Sequence, residues 1–266
     1  MKYKLVAFDL DGTLVGSDSV LSSRVKNAIA QMQEAGVAGC VVTGRMYRAA
    51  LPFVRELAFD TPVICYQGAA VIDPQADEVL FDAPLRNELV RELIQLTKSD
   101  GVYLQLYRND LYYSEERNRF SDIYAGLAQI EPIVVPSLAE AFAESDSTKA
   151  VIIADPPQAE KYAVRLQNYF GNRAYITRSY PQFVEMTDPR VNKGDALRFV
   201  ADRLEVPCDE IAAIGDAWND EPLLNAAGFA IAMGSAPQEL RNVADAVVAD
   251  VAHDGVAEAI EKYILS

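Results

Sequence analysis

The chain is poor in the residues that build soft-metal sites and disulfide frameworks, with one histidine and three cysteines in 266 residues. Cys40, Cys65 and Cys208 are odd in number and far apart, and two of them lie in apolar, strand-like runs. They therefore read as buried free thiols of a reducing compartment. The lone His253 excludes a histidine-rich zinc site. Basic residues are also scarce. Against 39 Asp and Glu stand 24 Lys and Arg, a net charge of −15. That balance excludes sequence-independent nucleic-acid binding, which needs a basic face to displace counterions. It would also repel anionic substrates at long range, so any phosphate site must be made attractive locally. No apolar run approaches the length that spans a bilayer, and Asp9 interrupts the first one too early for a signal peptide. The expectation is a cytoplasmic protein with no membrane partner. Internal repeats and low-complexity segments are absent as well.

What is present is a substantial core, since half of the residues are hydrophobic. The first third alternates short apolar runs with 3.6-period stretches. Strands are expected at Leu5–Phe8, Val37–Val42 and Pro62–Tyr66, with helices after Ser22 or Ser23 and over Met46–Leu57. A β-α-β-α-β rhythm predicts a parallel sheet with helices on both faces, and ligands bind at the carboxyl ends of its strands. Val71–Phe81 reads as a hairpin. From Pro84 to Thr187 the strands become aromatic and amphipathic, which suggests a separate α+β module with a largely antiparallel sheet. The tail resumes the first rhythm. The expected division is a core of residues 1–83 and 188–266 with an insertion of residues 84–187.

Four polar clusters carry the chemistry. The first strand runs into Asp9-Leu10-Asp11-Gly12-Thr13, two carboxylates on one face of an extended chain. No Lys or Arg lies between Lys4 and Arg24, so no cation near in sequence offsets their repulsion. Either a divalent cation sits between them or one carboxyl keeps its proton. Alone, the segment is equally an acidic turn. Thr43-Gly44-Arg45 follows the second strand and offers a hydroxyl and N–H groups at a helix start, or simply a capped turn. Asn192-Lys193-Gly194 places a lysine at a helix start, which on its own reads best as a surface lysine. Gly215-Asp216-Ala217-Trp218-Asn219-Asp220 ends another strand in a carboxylate, then an amide and a second carboxylate. Together, and in this order, they supply a nucleophile, an acid, metal-binding oxygens, a hydroxyl and a cation, the parts that phosphoryl transfer uses.

These four clusters resemble, in order, the motifs of the haloacid dehalogenase superfamily of phosphohydrolases, and within it the Cof-type branch. Ala226–Gly234 and Asp254-Gly255-Val256-Ala257 resemble the closing segments of that branch. The resemblance implies an α/β fold, a Rossmann-like parallel sheet core with an inserted α+β cap domain. It implies Asp9 as nucleophile through an aspartyl-phosphate and Asp11 as acid and then base. Mg²⁺ would be held by the side chains of Asp9 and Asp216 and the backbone carbonyl of Asp11. Phosphate and substrate would be held by Thr43, Gly44, Arg45, Gln67, Lys193 and Asn219, with Asp220 behind them steering Lys193 or a metal-bound water. Gln67 is a departure, because the branch often has Asn there; the longer side chain keeps the amide and extends its reach.

The implied activity is hydrolysis of small phosphorylated metabolites, sugar phosphates foremost, by a monomer or homodimer. A phosphomutase and a non-catalytic phosphosugar-binding regulator are the alternatives, separated by whether inorganic phosphate or an isomerised phosphosugar is formed. In the insertion, Arg178 and Glu185 read either as substrate contacts or as ordinary surface charges. Tyr103, Tyr107, Tyr112 and Tyr113 either wall a substrate or fill half-buried strands, and the second reading is preferred.

Overall fold

Leu5-Val6-Ala7-Phe8 has no polar side chain, and all four residues are fully buried, as a strand covered on both faces requires. The computed structural model describes all 266 residues. Along the chain β1 (Leu5–Phe8), α1 (Ser23–Glu34), β2 (Ala38–Val41), α2 (Tyr47–Glu56), β3 (Val63–Cys65), β4 (Ala70–Asp73) and β5 (Glu78–Asp82) come first. Then come α3 (Asn87–Asp100), β6 (Tyr103–Arg108), β7 (Leu111–Ser114), α4 (Arg119–Ala128), β8 (Ile133–Val134), α5 (Leu138–Ala141), β9 (Ala150–Ile153), α6 (Pro156–Phe170), β10 (Tyr175–Thr177) and β11 (Phe183–Thr187). The chain closes with α7 (Lys193–Arg203), β12 (Ile211–Gly215), α8 (Glu221–Ala226), β13 (Phe229–Ala232), α9 (Gln238–Val243), β14 (Ala246–Val247) and α10 (Gly255–Ala259). Helix ends follow local chemistry. Ser22 Oγ caps α1 by accepting from Val25 N, and Asn192 Oδ1 caps α7 by accepting from Gly194 N and Asp195 N.

Two compact units result, Met1–Leu80 with Asn192–Ser266, and Phe81–Val191, the latter slightly wider than the 84–187 read from the sequence. The first is built on a parallel sheet ordered β14-β13-β12-β1-β2, so the α/β expectation holds. β1 sits between β12 and β2, which places the carboxyl ends of β1 and β12 side by side. β3 departs from the expected ladder. It joins β2 through a single parallel bridge, Val42 to Ile64, and otherwise pairs antiparallel with β4. Its shortness and the preceding Pro62, which has no N–H, leave little ladder to form.

The second unit is a six-stranded sheet ordered β10-β11-β9-β6-β7-β8, antiparallel except for β7 with β8. One apolar cluster packs Leu104, Leu106, Ile152 and Val184 of its strands against Leu89, Leu93, Tyr162 and Leu166 of α3 and α6. Tyr107, Tyr112 and Tyr124 form a buried ring cluster with centroids 5.0–6.0 Å apart, so the tyrosines fill the sheet surface. Glu185 is not a surface charge. It is buried at 2% exposure, paired with Lys149 Nζ at 2.6 Å and accepting from Ser179 Oγ. Arg178 Nη2 donates to the carbonyl of Pro181 at 2.9 Å. Among the thiols, Cys40 and Cys65 are buried as expected, but Cys208 is exposed, because it lies in a 3-10 turn before β12 and outside any strand. No helix is long and apolar enough to cross a membrane.

Candidate active site

The two Asp residues at the end of β1 receive their cations from distant parts of the chain. Lys193 Nζ donates to Asp9 Oδ1 at 2.5 Å and to Asp220 Oδ1 at 2.6 Å. Arg45 forms a two-bond fork with Asp11 at 2.8 and 2.6 Å. Thus the absence of nearby basic residues in sequence does not leave the pair unneutralised; folding supplies one cation to each. The surface reading of Lys193 is likewise corrected. As the first residue of α7 it points inward and its side chain is fully buried.

Asp216 follows β12 and accepts from Thr13 Oγ1 at 3.0 Å, which ties the DGT turn to the fourth cluster. Gly12 is required at this junction. Its φ is +86°, and a Cβ there would fall 2.3 Å from Asp216 Oδ2. Asp220 accepts on Oδ2 from the backbone N–H groups of Asp216 and Ala217 while Oδ1 holds Lys193. With both oxygens occupied it orients Lys193 and the Asp216 loop.

Carboxylate oxygens of Asp9, Asp216 and Asp220 come within 4.8 Å of one another. Three carboxylates and one ammonium leave two surplus negative charges in a buried place. At an effective dielectric near 20, a like-charge pair about 4 Å apart costs about 4 kcal/mol. The titration of the groups reflects this. Burial, then the field of Asp220, push the Asp9 carboxyl well above the usual carboxylate range, against the pull of Lys193. Asp216 is pushed up to about 7 by burial and then Asp220, with the Thr13 hydrogen bond opposing. Burial alone would lower the Lys193 ammonium, but Asp220 and Asp9 outweigh it and raise it above its ordinary value. A divalent cation would cancel the surplus charge. The donors are hard oxygens without His or Cys, a set that suits Mg²⁺.

The second cluster differs from expectation in detail. α2 starts at Tyr47 with Met46 as its cap, so Thr43 does not cap the helix. Thr43 Oγ1 instead accepts from Arg45 N at 3.0 Å, forming the turn that sends the Arg45 side chain back to Asp11. Gln67 is buried at φ +63°, and its Oε1 accepts from Asn219 Nδ2 at 3.0 Å. Its amide lies over Gly44, where a Cβ would fall 2.4 Å from Gln67 Nε2. Asp9, Lys193, Asp216, Asp220 and Thr13 therefore form one hydrogen-bonded group, Asp11 with Arg45 a second, and Gln67 with Asn219 a third, packed against Gly44. Thr13 in its tie to Asp216 was missed by sequence reasoning; only its place in the Asp-Gly-Thr turn hinted at it.

A family model for haloacid dehalogenase-like hydrolases matches residues 6–260. The chain belongs to this family, and it is a hydrolase of the phosphatase type. A phosphatase of Bacillus subtilis, YwpJ, is 27% identical over 96% of this chain and 97% of its own length. The Bacillus subtilis phosphatase YitU, named for 5-amino-6-(5-phospho-D-ribitylamino)uracil, is 27% identical over 97% of both chains. A solved haloacid dehalogenase-like hydrolase from Bacteroides thetaiotaomicron superposes with a TM-score of 0.87 at 26% identity, over 98% of this chain and 99% of its own.

Proposed function

We propose that the protein is a Mg²⁺-dependent phosphatase of small, polyhydroxylated phosphate monoesters, working through a phosphorylated Asp9. The observation that carries this reading is the buried group of Asp9, Asp216 and Asp220 around Lys193 at the ends of β1 and β12. The phosphorylated ribityl compound for which YitU is named supports a polyhydroxylated substrate class. Asp9, Asp216 and the backbone carbonyl of Asp11 would hold Mg²⁺, which when bound supplies positive charge against the carboxylates and the phosphoryl oxygens.

Phosphate monoester hydrolysis needs accelerations of up to ~10²¹, and an acid–base pair contributes only about 10²–10⁴. A covalent route divides the task. An Asp9 oxygen bonds to phosphorus, the ester P–O bond breaks, and the leaving oxygen takes a proton from Asp11. Water then bonds to phosphorus and gives a proton to Asp11, and the bond to Asp9 breaks to release inorganic phosphate. Lys193 donates two bonds to carboxylates, and its third N–H serves a phosphoryl oxygen. Thr43, Gly44 and Asn219 complete the oxygen cradle.

The test is Asp9→Asn, a near-isosteric amide that cannot attack phosphorus. Wild type with Mg²⁺ should release inorganic phosphate from sugar phosphates and give an acid-stable mass increase on Asp9. The variant should lose both while keeping its circular dichroism spectrum. Substantial phosphate release by the variant would overturn the covalent mechanism.

A further inference from the structure

Arg45 spends its guanidinium on a carboxylate of its own protein. Nε donates to Asp11 Oδ2 at 2.8 Å and Nη2 to Asp11 Oδ1 at 2.6 Å, so both carboxylate oxygens are held. Nη2 also donates to Ser19 Oγ at 3.3 Å, and the guanidinium lies 5.2 Å from the centre of the Phe53 ring. Ser19 is held at φ +54°, a conformation uncommon outside glycine. The Arg45 backbone is fixed too, with N donating to Thr43 Oγ1 and O accepting from Tyr66 N at 3.0 Å. The side chain is 5% exposed. The turn after β1, the loop at Ser19 and α2 thus converge on one guanidinium.

An arginine that grips phosphate would present this fork to the incoming oxyanion. Here the fork instead sets the plane of the Asp11 carboxylate. An ionised carboxylate has about four acceptor sites, so two N–H bonds from Arg45 leave others to take a proton. We propose that Arg45 is a positioning residue for Asp11, holding it to receive the proton of the water that cleaves phosphorylated Asp9. This rests on the function proposed above. In the step, the water oxygen bonds to phosphorus, the P–O bond to Asp9 breaks with its electron pair returning to Asp9, and the proton passes to Asp11. Misplacing such a group by about 1 Å can cost about 10²-fold in rate.

The test uses p-nitrophenyl phosphate, whose phenolate leaves without a proton, so that only the second step depends on Asp11. Arg45→Met keeps the stem over Phe53 and removes the fork; Arg45→Lys keeps the charge without the fork and guards against misfolding of the first variant. With Mg²⁺, both should show an undiminished first-turnover burst and steady-state turnover reduced about 10²-fold for Met and less for Lys. Acid-quenched intact-mass spectra should show phosphorylated enzyme accumulating relative to wild type. A raised KM with a slower burst and no accumulation would place Arg45 on the phosphate and overturn the proposal. Unchanged kinetics, or a loss of active sites with normal rates per remaining site, would overturn it as well. Wild type that releases no phosphate from any ester, or never carries a phosphoryl group, would instead defeat the underlying function, and the variants would not be needed to see it.

Discussion

Gln67 Oε1 accepts a hydrogen bond from Asn219 Nδ2 across 152 residues of sequence, joining the turn after β3 to the loop after β12. The backbone is held in an unusual shape to make it. Tyr66, Gln67 and Gly68 all have positive φ, +53°, +63° and +98°. Two consecutive left-handed non-glycine residues persist only where the surroundings fix them, and such strain concentrates at functional sites. The bond commits one of the two Asn219 N–H groups. A shorter side chain at position 67 would not span the same gap.

Gln67→Leu should leave the buried Asn219 amide without its partner. The expected cost is about 1–3 kcal/mol in urea unfolding, with kcat/KM for a sugar phosphate reduced as well. Gln67→Asn should behave differently, because Asn tolerates the left-handed region better than Gln. Its stability should fall less than that of the Leu variant, the easier backbone offsetting part of the lost hydrogen bond, while kcat/KM falls as in the Leu variant. If the Asn variant keeps full kcat/KM, reach at position 67 does not matter.

The surplus negative charge around Asp9 makes a second prediction, about the metal alone. Titrating the protein with Mg²⁺ should change the fluorescence of Trp218, the single tryptophan, which stands two residues from Asp216. Asp216→Asn should abolish that response within the same concentration range. Thr13→Val removes the hydroxyl that fixes Asp216 and should weaken Mg²⁺ affinity by about 10–100-fold, the usual cost of losing a ligand's supporting hydrogen bond. An unchanged affinity in Thr13→Val would mean that Asp216 needs no such support.

The sequence made some of this visible and hid the rest for physical reasons. β1 and β12 are apolar runs that end in Asp, and their burial and parallel pairing follow from that pattern. The four-residue helix at Leu138–Ala141 was missed because so short a segment shows no 3.6-residue period. Ile130–Val135 reads as a strand, yet only Ile133–Val134 pairs, because Pro132 has no N–H to donate. The motifs showed which loops carry chemistry but not which side chains would meet. Arg45 lies 34 residues from Asp11, and Lys193 lies 184 from Asp9. Both pairings depend on strand order, which no local pattern encodes.

Glu185 illustrates the same limit and makes a stability prediction. With Lys149 and Glu185 both at 2% exposure, removing one partner leaves a buried charge uncompensated. Glu185→Ala should therefore destabilise the protein by about 3–5 kcal/mol, measured by urea denaturation followed by circular dichroism. Replacing both residues, Lys149→Met with Glu185→Leu, should recover most of the loss, since apolar pairs of similar size often substitute for buried ion pairs without cost. Equal stabilities for the single and double variants would show that the pair is not what Glu185 contributes.

The thiols provide the last prediction. Cys40 lies inside β2, and burial pushes its thiol up to about 12, against a hydrogen bond with Thr61. Alkylation and disulfide exchange proceed through the thiolate, so at pH 8 Cys40 has almost none of the reactive form as well as no access to reagent. Cys65 is buried inside β3. Cys208 is exposed in the turn before β12, with Sγ donating to the carbonyl of Ala226 at 3.0 Å. Native protein treated with Ellman's reagent at pH 8 should therefore titrate one thiol, and protein unfolded in guanidinium all three. Cys208→Ser should abolish the native reaction without changing phosphate release, because Cys208 touches none of the residues around Asp9. Two or three fast-reacting thiols in the native state would mean that β2 and β3 open to solvent far more readily than their burial implies, and the same strands carry the Thr43 and Gln67 turns.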